Sequence, residues 1–383
     1  MDVQQYTVGW LCALPVELAA AQILLDETHP GLPRDPNDDT QYTLGSIGNH
    51  NIVIGCLSAG QVGIGAAAIV GSRMRAKFPN LRFGLMVGIG GGVPGREDVR
   101  LGDVVVSQPF AGHGGVIQYD FGKSVPGGFN HTGFLNAPPQ LLLQAVANVQ
   151  AHHLRGTKDV LTHLRSFDGN STFRRPSLKS DVLFQPFYDH VETESTCRKC
   201  DPSKIVGRKA RGHESIVVHY GTIASGNRVV RNARERDEVS SKFGGVLCFE
   251  MEAAGLMNSW PCLAIRGICD YADSHKNKEW QPFAAATAAA YAKEVLSVTP
   301  ATGDCTALSV NEDSISVRRA VFLLYSSQGA LEPNIVKSLP SDDPSRFVAL
   351  SRRPEWALVQ QGKPQLYLCI CYTQLMWNRK LPI

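Results

Sequence analysis

The sequence has little net charge, which limits the partners it can have. Its 383 residues include 38 basic and 35 acidic side chains, giving a formal net charge of +3 at pH 7. This weak, dispersed charge argues against nucleic acid or an anionic membrane as a partner, since both select strongly basic surfaces. With 43% hydrophobic and 19% charged residues, the composition is typical of a globular protein. Any partner must therefore be inferred from individual sites.

Several targeting and nucleotide-binding signals are also missing. The first residues have no basic region and carry Glu17 soon after the apolar run, so we expect neither a signal peptide nor a membrane span. The phosphate-binding pattern GxxxxGK[ST] occurs nowhere. Of the ten cysteines, Cys12, Cys56, Cys248 and Cys262 lie within apolar patterns, where a free thiol is usual. We therefore expect a reducing, cytoplasmic location.

The spacing of apolar residues predicts alternating strands and helices. Residues 6–14 form a strand pattern that runs into a helix starting near Pro15. Residues 41–57 alternate as a hairpin, and residues 81–87 form a buried strand that ends in a glycine-rich segment. We predict a three-layer α/β/α domain with a mixed central sheet over about residues 1–300, with its ligand site at the carboxyl ends of the strands.

Acidic residues interrupt an apolar stretch at three points between residues 247 and 273. Glu250 and Glu252 flank Met251 at the start of a segment whose Ala, Leu and Met content favours a helix. Asp270 comes just past a predicted buried strand. These acids suit a helix N-terminus and a turn, but they also suit a ligand site at the edge of an open α/β sheet. Their spacing alone leaves both interpretations open.

The motifs around these acids resemble those of the nucleoside phosphorylase and nucleosidase superfamily, whose fold is phosphorylase/hydrolase-like. The pairing of FEMEAA with RGICD occurs at the family's spacing. GWLCALPVE resembles the first strand and turn of methylthioadenosine/adenosylhomocysteine nucleosidases, and GIGGGVP resembles the glycine-rich segment beside the ribose. The resemblance is greatest to the purine-nucleosidase-like domains that open many fungal NOD-like receptors.

This resemblance implies the machinery to cleave a purine N-glycosidic bond, which needs an acid for the base, a nucleophile and a stabilised sugar cation. Asp270 would protonate the purine, Glu17 would activate the attacking water, and Glu252 would bind the ribose hydroxyls. Met251 would pack beneath the sugar. The other candidate substrate-binding residues are Glu250, Phe249, Gly88, Ile89, Gly90, Val229 and Arg228.

Some of these residues have structural explanations, and some depart from the family's pattern. A lone acid at Glu17 suits a surface charge that stabilises the dipole of its helix. Arg228 is expected to pair with the acidic run that follows it, with an anionic ligand group as the alternative. Cys269 stands where the nucleosidases have a serine that orients the acid. Val229 stands near the position of the family's base-stacking aromatic residue, so we expect stacking from Phe249 instead.

The first strand and turn favour hydrolysis over phosphorolysis. Phosphorylases of the superfamily hold phosphate with arginines, one of them in the loop after the first strand, and here that loop reads CALPVE. A carboxylate suits proton abstraction from water and not the binding of a phosphate dianion. We expect a purine nucleoside or nucleotide to yield free base and ribose or 5′-substituted ribose. The alternatives are a phosphate-dependent purine or uridine nucleoside phosphorylase and a catalytically silent nucleoside-binding sensor or oligomerisation domain. No metal or organic cofactor is implied.

Residues 155–215 form an insertion relative to the compact members of the family, and we expect a lobe or a long loop. Within it, Cys197 and Cys200 form a lone CxxC pattern with His190 and His213 nearby in sequence. Four such ligands would suit tetrahedral zinc, but the second pair lacks a standard spacing. The sequence therefore favours two free thiols, with a zinc site as the alternative.

Two further expectations concern the rest of the chain. Residues 301–383 carry neither a glycine-rich loop nor an acidic cluster, and we expect a C-terminal extension that is poorly ordered or loosely docked. Relatives build their sites at subunit contacts, and the loop of residues 110–129 could contribute to one. We therefore expect a homo-oligomer, most simply a dimer.

Overall fold

The computed structural model describes most of the first 301 residues. The described residues are 2–33, 35, 38–156, 160–191, 196–211, 216–301, 325–326 and 329–330. The chain divides into two compact units, Met1–Ser309 and Val310–Ile383. In the second unit the described residues are the short pairing of Tyr325–Ser326 with Gly329–Ala330. The remainder of the predicted extension lies outside the described residues, and the prediction for it stands as made.

The first unit alternates strands and helices, as the periodicity predicts. Its strands are β1 Val8–Cys12, β2 Glu27–His29, β3 Tyr42–Ile47, β4 His50–Cys56, β5 Phe83–Gly92, β6 Val104–Ser107, β7 Val116–Gln118, β8 Gly122–Val125, β9 Gly128–His131, β10 Val218–Gly221, β11 Ile223–Ser225, β12 Cys248–Glu250 and β13 Cys262–Asp270. Its helices are α1 Pro15–Ile23, α2 Ile64–Lys77, α3 Gln140–Leu154, α4 Leu161–Leu164, α5 Ala233–Lys242, α6 Ala254–Met257 and α7 Gln281–Val298.

The central sheet is mixed, which confirms the predicted fold class. Its main path runs β10-β6-β13-β5-β1-β4-β3-β2, and β7, β11 and β12 extend it from β5. Strands β1, β13 and β4 run parallel to their neighbours β5 or β1, whereas β13 pairs antiparallel with β6 and β12 pairs antiparallel with β5. The carboxyl ends of β1, β5 and β13 therefore meet at one edge of the sheet.

Alternate residues of the central strands face two apolar cores, one on each side of the sheet. Trp10 and Ile265 belong to the core covered by α1, α3 and α7. Leu11 and Ala264 belong to the core that receives α2 and α6. Helix α7 is rich in alanine, which favours helix formation and lets the helix approach the sheet closely. In the part of the chain described here, no helix combines the length and apolar character needed to cross a bilayer.

The structure corrects three local predictions. The segment after residue 109, which the sequence indicates is a loop, contains β7 and the exposed hairpin of β8 and β9. The strand predicted over residues 81–87 continues through the glycine-rich segment, which forms the second half of β5 because β12 and β13 pair with it on either side. Glu250 ends a strand instead of starting a helix: its carboxylate accepts the N–H groups of Glu252 and Ala253, and α6 begins only after them.

One glycine in β13 fixes how closely the sheet and α7 approach each other. A Cβ at Gly267 would lie 1.8 Å from the carbonyl oxygen of Ala284 in α7, so any side chain there would force the layers apart. Gly65 is the matched case without a close neighbour. It is exposed in α2, and a Cβ there would have nothing within 4 Å.

We expect Gly267→Ala to lower the free energy of unfolding by about 3 kcal/mol or more, because a backbone atom blocks the added methyl group. Gly65→Ala should instead raise it by up to about 1 kcal/mol, since alanine loses less backbone freedom on folding. Urea unfolding of the two variants checks the comparison. Equal midpoints would contradict the close packing of β13 on α7.

Candidate active site

A cavity of about 230 Å³ lies where the carboxyl ends of the central strands meet. The predicted site residues that line it are Glu17, Ile89, Gly90, Arg228, Val229, Phe249, Glu250, Met251, Glu252 and Asp270. The other lining residues are Ala13, Leu14, Val62, Gly91, Val230, Cys269, Ala272, Lys276 and Gln281. The structure thus brings three carboxylates from distant parts of the sequence, Glu17, Glu252 and Asp270, into one pocket.

Glu17 is a buried acid and not the surface charge that a lone glutamate suggests. It is 4% exposed, and one carboxylate oxygen accepts the N–H groups of Ala13 and Leu14, at 2.7 and 3.0 Å. The other oxygen accepts the N–H of Ile89 at 2.8 Å. Burial raises the pKa of Glu17, although the charge of Arg266 and these three N–H groups oppose the rise. Such a carboxylate is fixed in place and is a stronger base than an ordinary glutamate.

Arg266 holds the acids of β12 and the following turn together. Its guanidinium, which is fully buried, forms an ion pair with Glu250, and its Nη2 lies 3.6 Å from Glu252 Oε2. Burial works against the charge of Arg266, but the attraction of Glu250, Glu252 and Glu17 outweighs it and raises the pKa of the guanidinium. A buried arginine with these partners keeps its charge and thereby stabilises a group of acids that would otherwise repel one another.

Glu252 accepts longer hydrogen bonds than Glu17 does, and it lines the cavity. Its carboxylate accepts the N–H groups of Gly63 at 3.2 Å and Met251 at 3.3 Å. Burial raises the pKa of Glu252 to about 7; the attraction of Arg266 opposes the rise, and repulsion from Glu250 and Glu17 adds to it. The glycine-rich turn before α2 therefore donates to a carboxylate of the chain itself. The N–H of Gly63 thereby helps to hold the Glu252 carboxylate in place.

Asp270 ends β13 and is surrounded by donors. Its Oδ1 accepts the N–H of Ala272 at 2.9 Å, and its Oδ2 lies 3.1 Å from both Lys276 Nζ and Cys269 Sγ. Burial and then the charge of Asp270 raise the pKa of the Cys269 thiol, so this thiol stays protonated and donates. Cys269 therefore contacts the Asp270 carboxylate directly, at the position where a residue that orients the acid is expected. Burial works against the charge of Lys276, but Asp270 outweighs it and raises the pKa of the ammonium.

The glycines of β5 leave room for these side chains. A Cβ at Gly91 would lie 2.8 Å from Asp270 Oδ1. A Cβ at Gly88 would lie 2.4 Å from Glu17 Oε1 and 2.6 Å from Arg266 Nη1. Gly88 does not line the cavity. It lies beneath the acids, so its part in the site is to admit Glu17 and Arg266 to the same space.

The opposite wall of the cavity is largely apolar. Phe249 is 6% exposed and packs edge-on against Tyr119, with ring centroids 5.3 Å apart. Val229 is exposed at the rim of the cavity. The guanidinium of Arg228, also at the rim, donates to Glu235 at 2.7 Å, which confirms the expected pairing with the acidic run. Phe249 and the valine side chains give this wall an apolar surface.

Sequence analysis missed two functional candidates, Arg266 and Lys276. Arg266 interrupts an otherwise apolar strand, and a charged residue in a buried strand must be paired, so a signal was present. Lys276 follows the strand by six positions, in a loop where solvated lysines are common. Its pairing with Asp270 depends on the path of that loop, which carries Ala272 at a φ of 50°. No pattern in the sequence indicates that path.

Comparisons with known proteins concern the family and the fold of the chain. A family model described as the phosphorylase superfamily matches residues 7–299. A nucleotide-binding leucine-rich repeat (NLR)-like protein of Hyaloscypha variabilis is 48% identical over 299 residues, which are 77% of this chain and 29% of that protein. The ATP nucleosidase Cap17 of Escherichia coli is 26% identical over 289 residues, which are 73% of this chain and 48% of that protein. The chain thus spans less than half the length of these two relatives.

A solved structure shows the same fold. The futalosine hydrolase of Helicobacter pylori superposes with a TM-score of 0.51 at 17% sequence identity, covering 77% of this chain and 99% of that one. At this identity the likeness concerns the fold alone.

The raised pKa of Glu252 links stability to pH. Because it rises from 4.5 to about 7, the folded protein binds a proton that the unfolded chain has released. The resulting stabilisation is complete below the unfolded pKa and is lost as pH rises through 7. We expect Glu252→Gln to remove this dependence, so that the wild type loses up to about 3 kcal/mol more stability than the variant between pH 4.5 and 8.

Denaturant unfolding of both proteins across that range measures the difference. Glu97→Gln, at an exposed position, provides the matched control and should follow the wild type. Parallel profiles for the wild type and Glu252→Gln would contradict the assignment of the raised pKa to this cluster.

Proposed function

The chain belongs to the phosphorylase superfamily, and on that premise we propose that it is a purine nucleosidase. It hydrolyses the N-glycosidic bond of a purine nucleoside or nucleotide to free base and ribose or 5′-substituted ribose. The observation that carries the proposal is the shared cavity of Glu17, Glu252 and Asp270. Similarity to an ATP nucleosidase supports hydrolysis.

The proposed reaction starts at the sugar. Glu252 accepts hydrogen bonds from the ribose 2′- and 3′-hydroxyls and places negative charge near the oxocarbenium ion that forms. Glu250, held by Arg266, anchors the turn that presents Glu252, and Met251 packs beneath the ring. Glu17 takes a proton from water, the water oxygen bonds to C1′, and the C1′–N9 bond breaks.

The leaving base receives the proton at the other end of the cavity. The electron pair of the broken bond moves into the purine, and Asp270, which must first take up a proton from solvent, delivers that proton to N7. Lys276, 3.1 Å from Asp270 Oδ2, adds positive charge beside the developing anion. Cys269 and the N–H of Ala272 keep the carboxyl oriented. Phe249 and the valines at positions 229 and 230 enclose the base.

The charges around the cavity favour water over phosphate as the nucleophile. Phosphate would need a free cation beside the sugar. Among the described residues that line the cavity, the cationic side chains are Arg228, which pairs with Glu235, and Lys276, which pairs with Asp270. Arg266 is fully buried behind the cavity wall. The position nearest the sugar is held by Glu17, which would repel a phosphate dianion.

The proposed reaction does not depend on which group the 5′ carbon of the ribose carries. The guanidinium of Arg228 lies at the cavity rim, away from Glu17, and at 63% exposure it is accessible to a ligand in addition to Glu235. This arrangement suits a 5′-phosphate or polyphosphate, as in the named substrate of the Escherichia coli relative. We therefore include nucleotides in the proposed substrate class. The proposed location of the protein is the cytoplasm.

A homo-oligomer, most simply a dimer, is proposed from an exposed aromatic surface. Phe129 lies on β9, and Phe121 and Phe134 lie just outside the hairpin of β8 and β9; Phe121, Phe129 and Phe134 are 55%, 40% and 80% exposed. Several large apolar side chains in one short stretch of surface commonly mark an association site. Nothing in the proposed chemistry requires a metal or an organic cofactor.

Three single substitutions and a phosphate test probe the reaction. Asp270→Asn should bind substrate but lose turnover by about 10²-fold or more, because it keeps the shape and lacks the transferable proton. Glu252→Gln should weaken binding and turnover together, and Glu17→Gln should abolish hydrolysis. Chromatography of free base from adenosine, guanosine, inosine, methylthioadenosine and ATP, with and without phosphate, measures each.

The exposed-site variant Glu97→Gln should retain wild-type turnover. If the release of base requires phosphate and persists in the Glu17→Gln variant, the reaction is phosphorolysis and the proposed hydrolysis is wrong. Binding of adenosine in calorimetry without release of adenine would replace the enzyme with a nucleoside sensor.

We expect light scattering to find a dimer at micromolar concentration and the double variant Phe121→Ser/Phe134→Ser to be a monomer. Phe187→Ser is the control, because Phe187 is 83% exposed but lies in the insertion, away from this surface in sequence. A wild type that is monomeric at these concentrations would contradict the proposed homo-oligomer.

A further inference from the structure

The insertion contains a cluster of metal-binding side chains that the proposed chemistry does not use. One ligand atom from each of His190, Cys197 and Cys200 lies within 4.8 Å of the others. Both cysteines are free thiols; Cys200 is buried, and Cys197 is half-buried like His190. Two thiols and an imidazole at this separation are the ligand types and the spacing that zinc selects.

Local backbone structure accounts for how the three come together. Residues Cys197–Lys199 form one turn of 3₁₀-helix, and the N–H of Cys200 donates to the carbonyl of Cys197 at 3.1 Å. This turn places both sulfur atoms on one side of the chain. The backbone of His190 is fixed from elsewhere, since its N–H donates to Ser274 Oγ at 2.9 Å. The insertion is therefore tied at this point to the loop that follows β13.

That loop offers a fourth ligand, His275. It is 7% exposed, and among the described residues neither of its ring nitrogens has a hydrogen-bond partner. Phe184 stacks on one face of the ring, with centroids 4.0 Å apart, so the face is occupied while neither nitrogen makes a hydrogen bond to a described residue. A buried imidazole in that state is costly unless something binds it.

The geometry of the two histidines fits a shared metal ion. The ring centroids of His190 and His275 are 5.4 Å apart and the rings meet at 78°. Two imidazoles on one tetrahedral zinc, with Zn–N bonds near 2.0–2.1 Å, place their ring centres roughly 5 Å apart. Asp273 Oδ2 lies 3.8 Å from His275 Nδ1. A carboxylate beside one imidazole nitrogen commonly orients the other nitrogen toward a metal.

We propose that His190, Cys197, Cys200 and His275 bind one Zn²⁺ ion, with Asp273 orienting His275. The first three ligand atoms already form a tight group, and His275, whose ring packs against that of His190, would supply the fourth ligand. None of the four ligands lines the substrate cavity. The ion is therefore structural, and this proposal does not depend on the proposed reaction.

The zinc would connect the insertion to the acid end of the active site. His275 immediately precedes Lys276, whose ammonium contacts Asp270. Fixing His275 thereby restricts the segment from Asp270 to Lys276, which carries both the proposed acid and its cationic neighbour. His213, which the sequence also indicated as a candidate ligand, lies outside the described residues.

Metal analysis of the untagged full chain, purified with reductant, tests the proposal directly. We expect one zinc per chain by mass spectrometry. Cobalt(II) added to the metal-free protein should give tetrahedral d–d bands and the charge-transfer absorption of two thiolates. Cys197→Ser, Cys200→Ser, His190→Asn and His275→Asn should each reduce zinc content to about a tenth or less under competition with a chelator. Asp273→Asn should weaken zinc binding roughly 10- to 100-fold.

Cys56→Ser and His131→Asn are the matched controls, and both should keep one zinc per chain. The cobalt spectrum of the unsubstituted protein reports ligand type even where a variant fails to fold. Absence of metal uptake, a cobalt spectrum without thiolate absorption, or equal loss from controls and ligand variants would overturn the site. Undiminished affinity in His275→Asn would overturn the four-ligand assignment.

Discussion

The candidate site depends on one buried cation among several acids. Arg266 is fully buried in the middle of β13, and its guanidinium faces Glu250, Glu252 and Glu17. Without it, these carboxylates would share a small desolvated space with no opposite charge, and breaking such a pair typically costs about 3–5 kcal/mol. With it, Glu250 stays anchored while Glu252 remains close to its protonation midpoint. The arginine thus separates two chemically identical side chains into a structural acid and an available one.

The sequence predicts the parts of the site that have local signatures. Glu17 follows a strand and a proline that begins a helix, and Asp270 ends an apolar run, so both can be placed at the edge of a sheet. The pairing of Asp270 with Lys276 requires the path of an irregular loop, which no periodicity encodes. The role of Gly91 is visible only in three dimensions, because its neighbour Asp270 comes from a strand far away in the sequence.

Secondary structure, too, is predictable where the sequence carries a local pattern and is not predictable where contacts with distant residues determine it. Long amphipathic or apolar segments such as α2, α7 and β13 are predicted because their burial is repeated over many residues. The hairpin of β8 and β9 was missed, since both strands are short and largely exposed and so lack an apolar face. The helix predicted to start at Glu250 begins only at Ala254, because Glu250 ends a strand and its carboxylate accepts the N–H groups of the following turn. Pairing with distant strands, and not local composition, determines the secondary structure of such segments.

The position of β13 in the sheet has a consequence for biosynthesis. It is the last strand of the first unit to be made, yet it lies between β5 and β6, which were made long before it. A nascent chain therefore exposes two unpaired, apolar strand edges until residue 270 has left the ribosome. Such edges invite pairing with other chains, and their closure waits for contacts between distant residues, which form slowly. Chaperone demand during translation should accordingly peak just before this strand emerges.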